Sequence, residues 1–514
     1  MSLPSSLSLP VPPLVIRADA SPASGQGHVM RCLALAQTCI AQGGSVTFLG
    51  SLGHPSLQQR LQAAGCEVVQ LDTPHPDPHD LQHTLAILAL AASAAPTAIP
   101  WLVLDGYHFA TAYQHAIRAT GYRLLVLDDY AHLPAYEADI LLNQNIHAPT
   151  LPYKCPPAAD LLLGPRYALL RPEFHARAAQ TGPEPAVARK VLLTLGGSDP
   201  HNVTQRLAQA LSQVDIEGLE VTVVLGAYYR HQFASGPARA GLIWQVLHHV
   251  VDMAPLMSRA DLVIAAGGST CWELACLGRP AALVILAENQ RQNAQGLNAA
   301  GAAVCLGWHT DLEPMRVTRT LRELLQDPTQ RAGLAARARQ LVDGRGAQRV
   351  LRQIHGQTLT LRPAQPADAL LLWSWVNDPE VRRTSFTTDL ISWEQHLQWF
   401  AARLQSDQCM IYIACSSTGA PLGQIRYDST GQEATVSISL DKNFRHQGYG
   451  GILLKKASQL FLQHVPVIRL HAYIKPENIA SQSAFLQAGF RQEQPVLIHG
   501  QQAWHFQWRK EDVA

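Results

Sequence analysis

The chain has 514 residues, long for one hydrophobic core, so two to four domains of ordinary size are expected. Apolar residues make up 47% and charged residues 15%, the proportions of a folded globular chain and not of a disordered one. A formal net charge of +1 makes no electrostatic case for nucleic acid or a membrane surface, and nine cysteines without a CxxC pair indicate reduced thiols in the cytoplasm.

The opening "MSLPSSLSLPVPPLVIRADA" lacks a basic n-region, and its prolines break any apolar run, so a flexible leader ahead of a first strand is expected. Apolar Leu14 to Ile16 then meets "SGQGHVMRC" at 24–32, a glycine turn that opens a helical pattern from His28 to Gln42. "SVTFLG", a helix from about Pro55 to Ala64, and "CEVVQLD" follow, before a loop, "HPDPHD" at 75–80, whose prolines favour a solvated turn over a metal site. The apolar stretch "HTLAILALAASAAPTAIPWLVL" is cut by Pro96 and Pro100, which predicts a helix and then a buried strand, not a membrane span. "WLVLDGY", "RLLVLDDY" and "DILLNQN" are further apolar runs, each ending in polar residues. Strands without alternation, separated by helices, predict a parallel sheet covered on both faces, with ligands at the carboxyl ends of its strands.

The pattern restarts near Arg189 with "KVLLTLGGSD", "VTVVLGAYY", "ADLVIAAGGSTCWELACLG" and "PAALVILAENQRQNAQ". Two doubly wound, Rossmann-like α/β domains are therefore expected, at 14–165 and 185–340, with a cleft between them and a linker at 341–357. From Thr358 the texture changes, and six of the ten tryptophans lie beyond residue 370. "CMIYIAC", "PLGQIRYD" and "EATVSISL" read as consecutive antiparallel strands; a helix from Gly448, "VIRLHAYI" and a helix ending at Gly489 complete a separate α+β domain at 358–510.

In "SGQGHVMRC", Gly25 and Gly27 let the backbone approach a ligand, and His28 falls at the amino end of a helix. That end suits phosphate and favours a neutral, proton-accepting imidazole; the other reading is a helix end that merely packs. A dinucleotide site fits less well, because Met30 replaces the third glycine and "SVTFLG" ends without an acid for a ribose. In "GGSTCWE", Gly267, Gly268, Ser269 and Thr270 form a second phosphate cradle, with Glu273 one turn on and able to accept from a ribose diol. A capping-box carboxylate is the alternative for Glu273. "LGGSD", with Gly197 and Ser198, is a weaker loop of the same kind.

"RADAS", "GQGHVMRCLALA", "LDGYHF", "LLVLDDYA", "LLNQN", "LTLGGSDPHN", "AAGGSTCWE" and "ENQ" occur in order over roughly residues 14–340. Together they resemble the UDP-sugar hydrolase family of pseudaminic acid biosynthesis, within the GT-B glycosyltransferase architecture. The resemblance implies that water cleaves a UDP-linked 2,4-diacetamido-2,4,6-trideoxy-β-L-altropyranose, with His28 as base and no metal. It implies Tyr107 and Asn289 along the sugar, and Gly268, Ser269, Thr270 and Glu273 on UDP. Asp19 and Asp128 are candidates to orient His28 or the water, or else plain strand-end carboxylates.

"LDKNFRHQGYGGILL" followed by "IKPENIASQSAFLQAGF" resembles motifs A and B of the GNAT (GCN5-related N-acetyltransferase) fold. "WVNDPEVRRTSFTTDLISWEQHLQWF" is similar to members acting on UDP-amino sugars. The resemblance implies acetyl-CoA, with Arg445, His446, Gln447, Gly448, Tyr449 and Gly450 on its pyrophosphate and Asn478 near its pantetheine. One departure is Phe485, where many members carry a tyrosine that protonates the leaving thiolate; Tyr449, Tyr473 or water is left to serve. A degenerate domain kept for packing is the alternative. The joint expectation is a cytoplasmic bifunctional enzyme that acetylates the 4-amino group of UDP-4-amino-4,6-dideoxy-N-acetyl-β-L-altrosamine and then removes UDP. The alternatives are a GT-B glycosyltransferase fused to an acetyltransferase, an enzyme acting on an epimeric UDP-sugar, and a UDP-sugar sensor without catalysis.

Overall fold

The computed structural model describes residues 11–21, 25–178, 183–234, 241–248, 250 and 252–509. The expected leader at 1–10, and Ser24 of the first glycine turn, lie outside the described residues. Residues Val11–Leu351 form one compact unit and the chain from Arg352 onward another.

In the first unit, Leu14 to Ala18 is a strand buried at all five positions, as an unalternated apolar run requires when helices cover both faces. This strand, β1 (Leu14–Ala18), lies inside a seven-stranded sheet with β2 (Val46–Gly50), β3 (Glu67–Gln70), β4 (Trp101–Asp105), β5 (Arg123–Leu127), β6 (Ile140–Asn143) and β7 (Asp160–Leu163). The order is β3-β2-β1-β4-β5-β6-β7, and every pairing is parallel. The chain order therefore reverses beside β1 and β4, the place where such folds open a crevice at their strand ends. The apolar stretch before β4 is the helix Asp80–Ala94 followed by the strand, as its prolines predict. No helix of the described residues is long and apolar enough to cross a membrane.

A second parallel sheet in the same unit contains β8 (Lys190–Thr194), β9 (Leu219–Leu225), β10 (Leu242–His248), β11 (Leu262–Ala266), β12 (Ala281–Ile285) and β13 (Val304–Trp308). Its order, β10-β9-β8-β11-β12-β13, repeats the winding of the first. Apolar residues from both faces of β8, β9, β11 and β12 pack into two clusters, and each large aliphatic side chain so buried stabilises by roughly 1.5–3 kcal/mol.

The second unit is built on β14 (Thr360–Pro363), β15 (Cys409–Cys415), β16 (Pro421–Thr430), β17 (Glu433–Leu440), β18 (Arg469–Ile474), β19 (Arg491–Gln492), β20 (Val496–Ile498) and β21 (Gln501–Arg509). Strand order along the main path is β14-β15-β16-β17-β18-β21-β19, antiparallel except for β17 with β18. The architecture is thus two doubly wound parallel sheets and one mixed sheet, as the sequence predicts. The stretch 341–357, expected as a linker, is largely the helix Gly346–Thr358, because Val350, Leu351 and Ile354 give it a buried apolar stripe. All nine cysteines are free thiols.

Candidate active site

The helix Gly27–Ala41 follows the loop after β1, and its N-cap Gln26 makes no side-chain cap bond, which leaves the first-turn N–H groups uncovered by side chains. His28, Arg31 and Cys32 lie at i, i+3 and i+4 on one face of this helix. That face meets Asp105, the fully buried last residue of β4. Asp105 accepts from His28 Nδ1 at 2.7 Å, from Arg31 Nε and Nη2 at 2.7 and 2.6 Å, and from Cys32 Sγ at 3.4 Å. Burial alone would push the Asp105 carboxyl up, but Arg31 and then His28 outweigh it and hold the group well below the usual carboxylate range. An anionic Asp105 can only accept, so Nδ1 carries the proton and Nε2 the lone pair. Nε2 has no hydrogen bond among the described residues, and the side chain keeps 14% of its surface open. This is the arrangement of an oriented proton acceptor.

The Tyr107 ring meets His28 edge to face at 5.0 Å, and its hydroxyl donates to Asp129 Oδ2 at 2.5 Å. Burial and then the Asp129 charge push that phenol far above its ordinary value, and its ring packs edge-on against the imidazole. Asp129 also accepts from Arg31 Nη1 and Asn145 Nδ2, both at 2.8 Å. Asn145 Oδ1 in turn accepts from Asn293 Nδ2 at 2.7 Å, in the helix Glu288–Ala299 that follows β12 of the other sheet. A continuous polar chain thus links His28 to the second sheet. Replacing Asn293 by Ala is expected to cost about 1–3 kcal/mol, because Asn145 Oδ1 loses its buried donor. Urea unfolding of the full chain would read this as a lower midpoint, and an unchanged midpoint would remove the bond from the account.

The carboxylate bonded to His28 is Asp105, not Asp19 or Asp128, the two that the sequence singles out. Arg17, two residues earlier on β1, takes Asp19 at 2.6 and 2.9 Å, and the Ser51 and His75 N–H groups complete its shell. Asp128 follows β5, two strands from β1, and accepts from Tyr130 N, Ala131 N, His132, Tyr136 and Tyr153. It folds its own loop and does not touch His28. Asn289 is exposed in the first turn of the helix Glu288–Ala299, one turn before Asn293. Gly25, at φ +73°, closes the loop ahead of His28 through a 2.8 Å bond from its N–H to Ser21 O.

Across the cleft, β11 runs into Gly267 to Ser269 and the helix Thr270–Leu277. Gly267 is needed there: a Cβ would sit 3.0 Å from Gln290 O and 3.1 Å from Ala294 Cβ. Ser269 is the N-cap but makes no side-chain cap bond, so its hydroxyl and the helix N–H groups remain for a ligand. The two loops face one another, because a Cβ on Gly27 would lie 4.0 Å from Ser269 Oγ. Glu273 pairs with Arg171 Nη2 at 3.2 Å and forms no capping box, so the capping alternative is not what the structure contains. Burial raises the Glu273 carboxyl, against the opposing pull of Arg171. At the loop after β8, Gly197 O accepts from Tyr228 N at 2.9 Å. Asp199, just beyond Ser198, accepts from Val203 N and Thr204 N at 2.9 and 2.7 Å. That helix end is therefore closed by its own carboxylate, whereas the one at Ser269 is open.

In the second unit, Gly448 is the left-handed N-cap (φ +81°) of the helix Tyr449–His464, without a side-chain cap bond. A Cβ on Gly448 would collide with the Arg352 guanidinium. β17 pairs with β18 only from Glu433 to Thr435 and from Arg469 to His471; beyond, the two strands have no ladder between them. The result is a slot beside an uncapped helix terminus, suited to a pyrophosphate with an extended arm. Asp378 and Glu380, at the start of another helix, hold Arg445 Nη1 at 2.7 and 3.1 Å, while Nη2 has no hydrogen bond among the described residues. His446 has φ +58°, Gln447 Nε2 donates to Asn443 O, and a Cβ on Gly450 would lie 3.2 Å from Ala484 Cβ. Asn478 caps the helix Ile479–Gln487 by accepting from Ser481 N. Phe485 is 2% exposed and packs edge-on against Phe490, a core position with no proton to give. Tyr449 is also withdrawn, its buried hydroxyl 3.0 Å from His355 Nδ1.

Residues 358–491 match the family described as acetyltransferase (GNAT) domain, and residues 191–350 the glycosyltransferase family 28 C-terminal domain. The chain fuses a glycosyltransferase-like domain to a GNAT acetyltransferase domain. It is 31% identical over 189 residues to the spore coat polysaccharide biosynthesis protein SpsG of Bacillus subtilis, over 36% of this chain and 56% of that one. An uncharacterized protein of Methanocaldococcus jannaschii is 21% identical over 503 residues, 93% of this chain and 96% of that one. The UDP-N-acetylglucosamine–N-acetylmuramyl-(pentapeptide) pyrophosphoryl-undecaprenol N-acetylglucosamine transferase of Xanthomonas axonopodis pv. citri is 36% identical over 165 residues. Those residues are 31% of this chain and 38% of that one, so the chain spans little more than half of the first of these relatives and less of the last.

Proposed function

We propose that the chain acetylates a UDP-linked amino sugar in its GNAT domain and removes UDP from the product in its GT-B unit. The sugar is the 4-amino-4,6-dideoxy-N-acetyl-β-L-altrosamine of pseudaminic acid biosynthesis, and the setting is cytoplasmic. The observation that carries the hydrolytic half is an Asp105-bound imidazole with a free Nε2, opposite an uncapped helix terminus at Ser269. Water attacks the anomeric carbon, His28 Nε2 takes its proton, and the bond to the UDP oxygen breaks. The N–H groups at Ser269 and Thr270 receive the charge that develops on the pyrophosphate, and Glu273 engages the ribose after leaving Arg171. In the GNAT domain the slot between β17 and β18 supports binding of acetyl-CoA. A spore coat polysaccharide protein among the relatives is consistent with sugar chemistry of this class.

A second reading, transfer to a sugar acceptor in place of water, is favoured by the family 28 match and by the N-acetylglucosamine transferase relative. Incubation with the 4-amino UDP-sugar and acetyl-CoA, followed by mass, tests both. Acetylated UDP-sugar, then UDP and free 2,4-diacetamido sugar, is the expected result. Absence of both the acetylated intermediate and UDP overturns it, and UDP release that requires an added sugar acceptor selects the transferase.

A further inference from the structure

β18 and β21 pair so that His471 lies opposite Gln507 and Tyr473 opposite His505. Leu470, Ala472 and Ile474 are buried in the core on one face, so His471, Tyr473 and His505 share the other. There His471 Nδ1 is 2.9 Å from His505 Nε2, with the rings stacked at 5.2 Å, and Tyr473 stacks on His505 at 5.2 Å. His471 Nε2 lies 3.4 Å from Glu433 Oε2 on β17. His471 is also the last residue of β18 paired with β17, so this cluster stands where the slot closes.

The proton positions follow from the acceptors. The charge of the Glu433 carboxylate, 3.4 Å away but not hydrogen-bonded to the ring, favours the His471 proton on Nε2 and leaves Nδ1 as an acceptor for the His505 Nε2–H. His505 Nδ1 is then a lone pair, and it has no hydrogen bond among the described residues. The unpaired run of β17, Val436 to Leu440, spans ~16 Å at the usual strand rise. An extended thioester arm anchored at Gly448 and laid along that run brings its carbonyl to the end of the ladder at Thr435 and His471, with His505 on the next strand beyond.

We infer that His505 Nδ1 is the proton acceptor for the attacking amine of the acetyl transfer, with His471 and Glu433 as positioning residues between it and the slot. The inference rests on the acetyltransferase half of the function proposed above. The amine nitrogen forms a bond to the thioester carbon as the carbon–sulfur bond breaks; the nitrogen's proton passes to His505 Nδ1, and the thiolate takes one from water. Phe485 fits this scheme, since the domain then needs no tyrosine acid. The charged and titratable groups that register brings to this face are Glu433, Arg469, Tyr473, Arg491, Glu493 and Arg509.

The test uses the full-length chain with His505→Gln and Glu433→Gln variants, acetyl-CoA, and a panel of UDP-linked and free primary amines. His505→Gln is expected to lose ~10²-fold in kcat/KM near neutral pH with the Kd for acetyl-CoA unchanged, and the deficit shrinks at high pH where the amine is already free base. Glu433→Gln is expected to move the acid limb of the profile to lower pH. Histidine ¹⁵N spectra of the full-length chain, assigned by difference with His505→Gln, should show an unprotonated Nδ1 on His505. A pH-independent deficit, full activity of His505→Gln, or a protonated Nδ1 overturns the relay. If the wild type binds acetyl-CoA but acetylates no amine in the panel, the underlying acetyltransferase reading fails instead, and the relay with it.

Discussion

Replacing His28 by Ala is expected to slow UDP release from the acetylated UDP-sugar by ~10²-fold or more while UDP still binds, the usual size of a general-base contribution. The separation follows from the geometry. His28 Nε2 belongs to the loop after β1, whereas the uncapped terminus and Glu273 that suit UDP belong to the loop after β11. Steady-state UDP release and calorimetric titration with UDP measure the two quantities independently. Turnover unchanged in the variant removes His28 from the chemistry. If the wild type binds UDP but turns over no UDP-sugar, the protein is a sensor.

Replacing Asp105 by Asn should cost more, because it acts on the fold and the site together. The carboxylate is fully buried and is one of two carboxylate partners of Arg31, which keeps only 8% of its side-chain surface open. An amide leaves that guanidinium with Asp129 alone, and breaking a buried pair costs up to roughly 3–5 kcal/mol. It also removes the acceptor that fixes the proton on His28 Nδ1, and in comparable histidine–aspartate pairs the wrong tautomer costs ~10⁴-fold in rate. The sign with pH is set by the depressed carboxyl. Its stabilisation is present above the unfolded carboxylate range, near ~3.9, and is lost as pH falls through the lower folded value, so Asp105→Asn should be less sensitive to acid than the wild type. Urea unfolding at pH 7 and at pH 3, with UDP release at pH 7, checks each part; equal stability of variant and wild type at both pH values would refute the pairing.

In the two parallel sheets the strands most plainly legible in the sequence were those with two covered faces. β1, β4, β5, β8, β11 and β12 are unalternated apolar runs flanked by glycine or polar residues. β7, β10 and β13 went unread, and all three are sheet edges. An edge strand packs on fewer neighbours and tolerates polar positions, as the half-exposed Leu242–His248 shows. In the site, His28 announced itself because a histidine in a glycine turn has few structural uses. Asp105 did not, since Asp19, Asp128 and Asp129 end strands in the same way. What selects Asp105 is register: it pairs with Ala18, the last residue of β1, beside the turn that carries His28. Asn145 and Asn293 are 148 positions apart, a juxtaposition only the packed sheets provide. In the GNAT domain, the parting of β17 from β18 has no local signature, because each strand keeps its ordinary alternation.

That parting means the GNAT sheet carries two raw edges in its middle and not at its rim. Exposed edges invite pairing with any extended chain, and proteins blunt them with short lengths, bulges or cover. Here the open runs, Val436–Leu440 and Ala472–Ile474, are too short to template a full strand and flank a helix terminus that prefers an anion. An amide-bearing chain with a phosphate at one end satisfies both demands, as a guest strand does in β-augmentation. A neutral peptide satisfies one. The same unpaired backbone that exposes the sheet to a stray segment therefore selects against it.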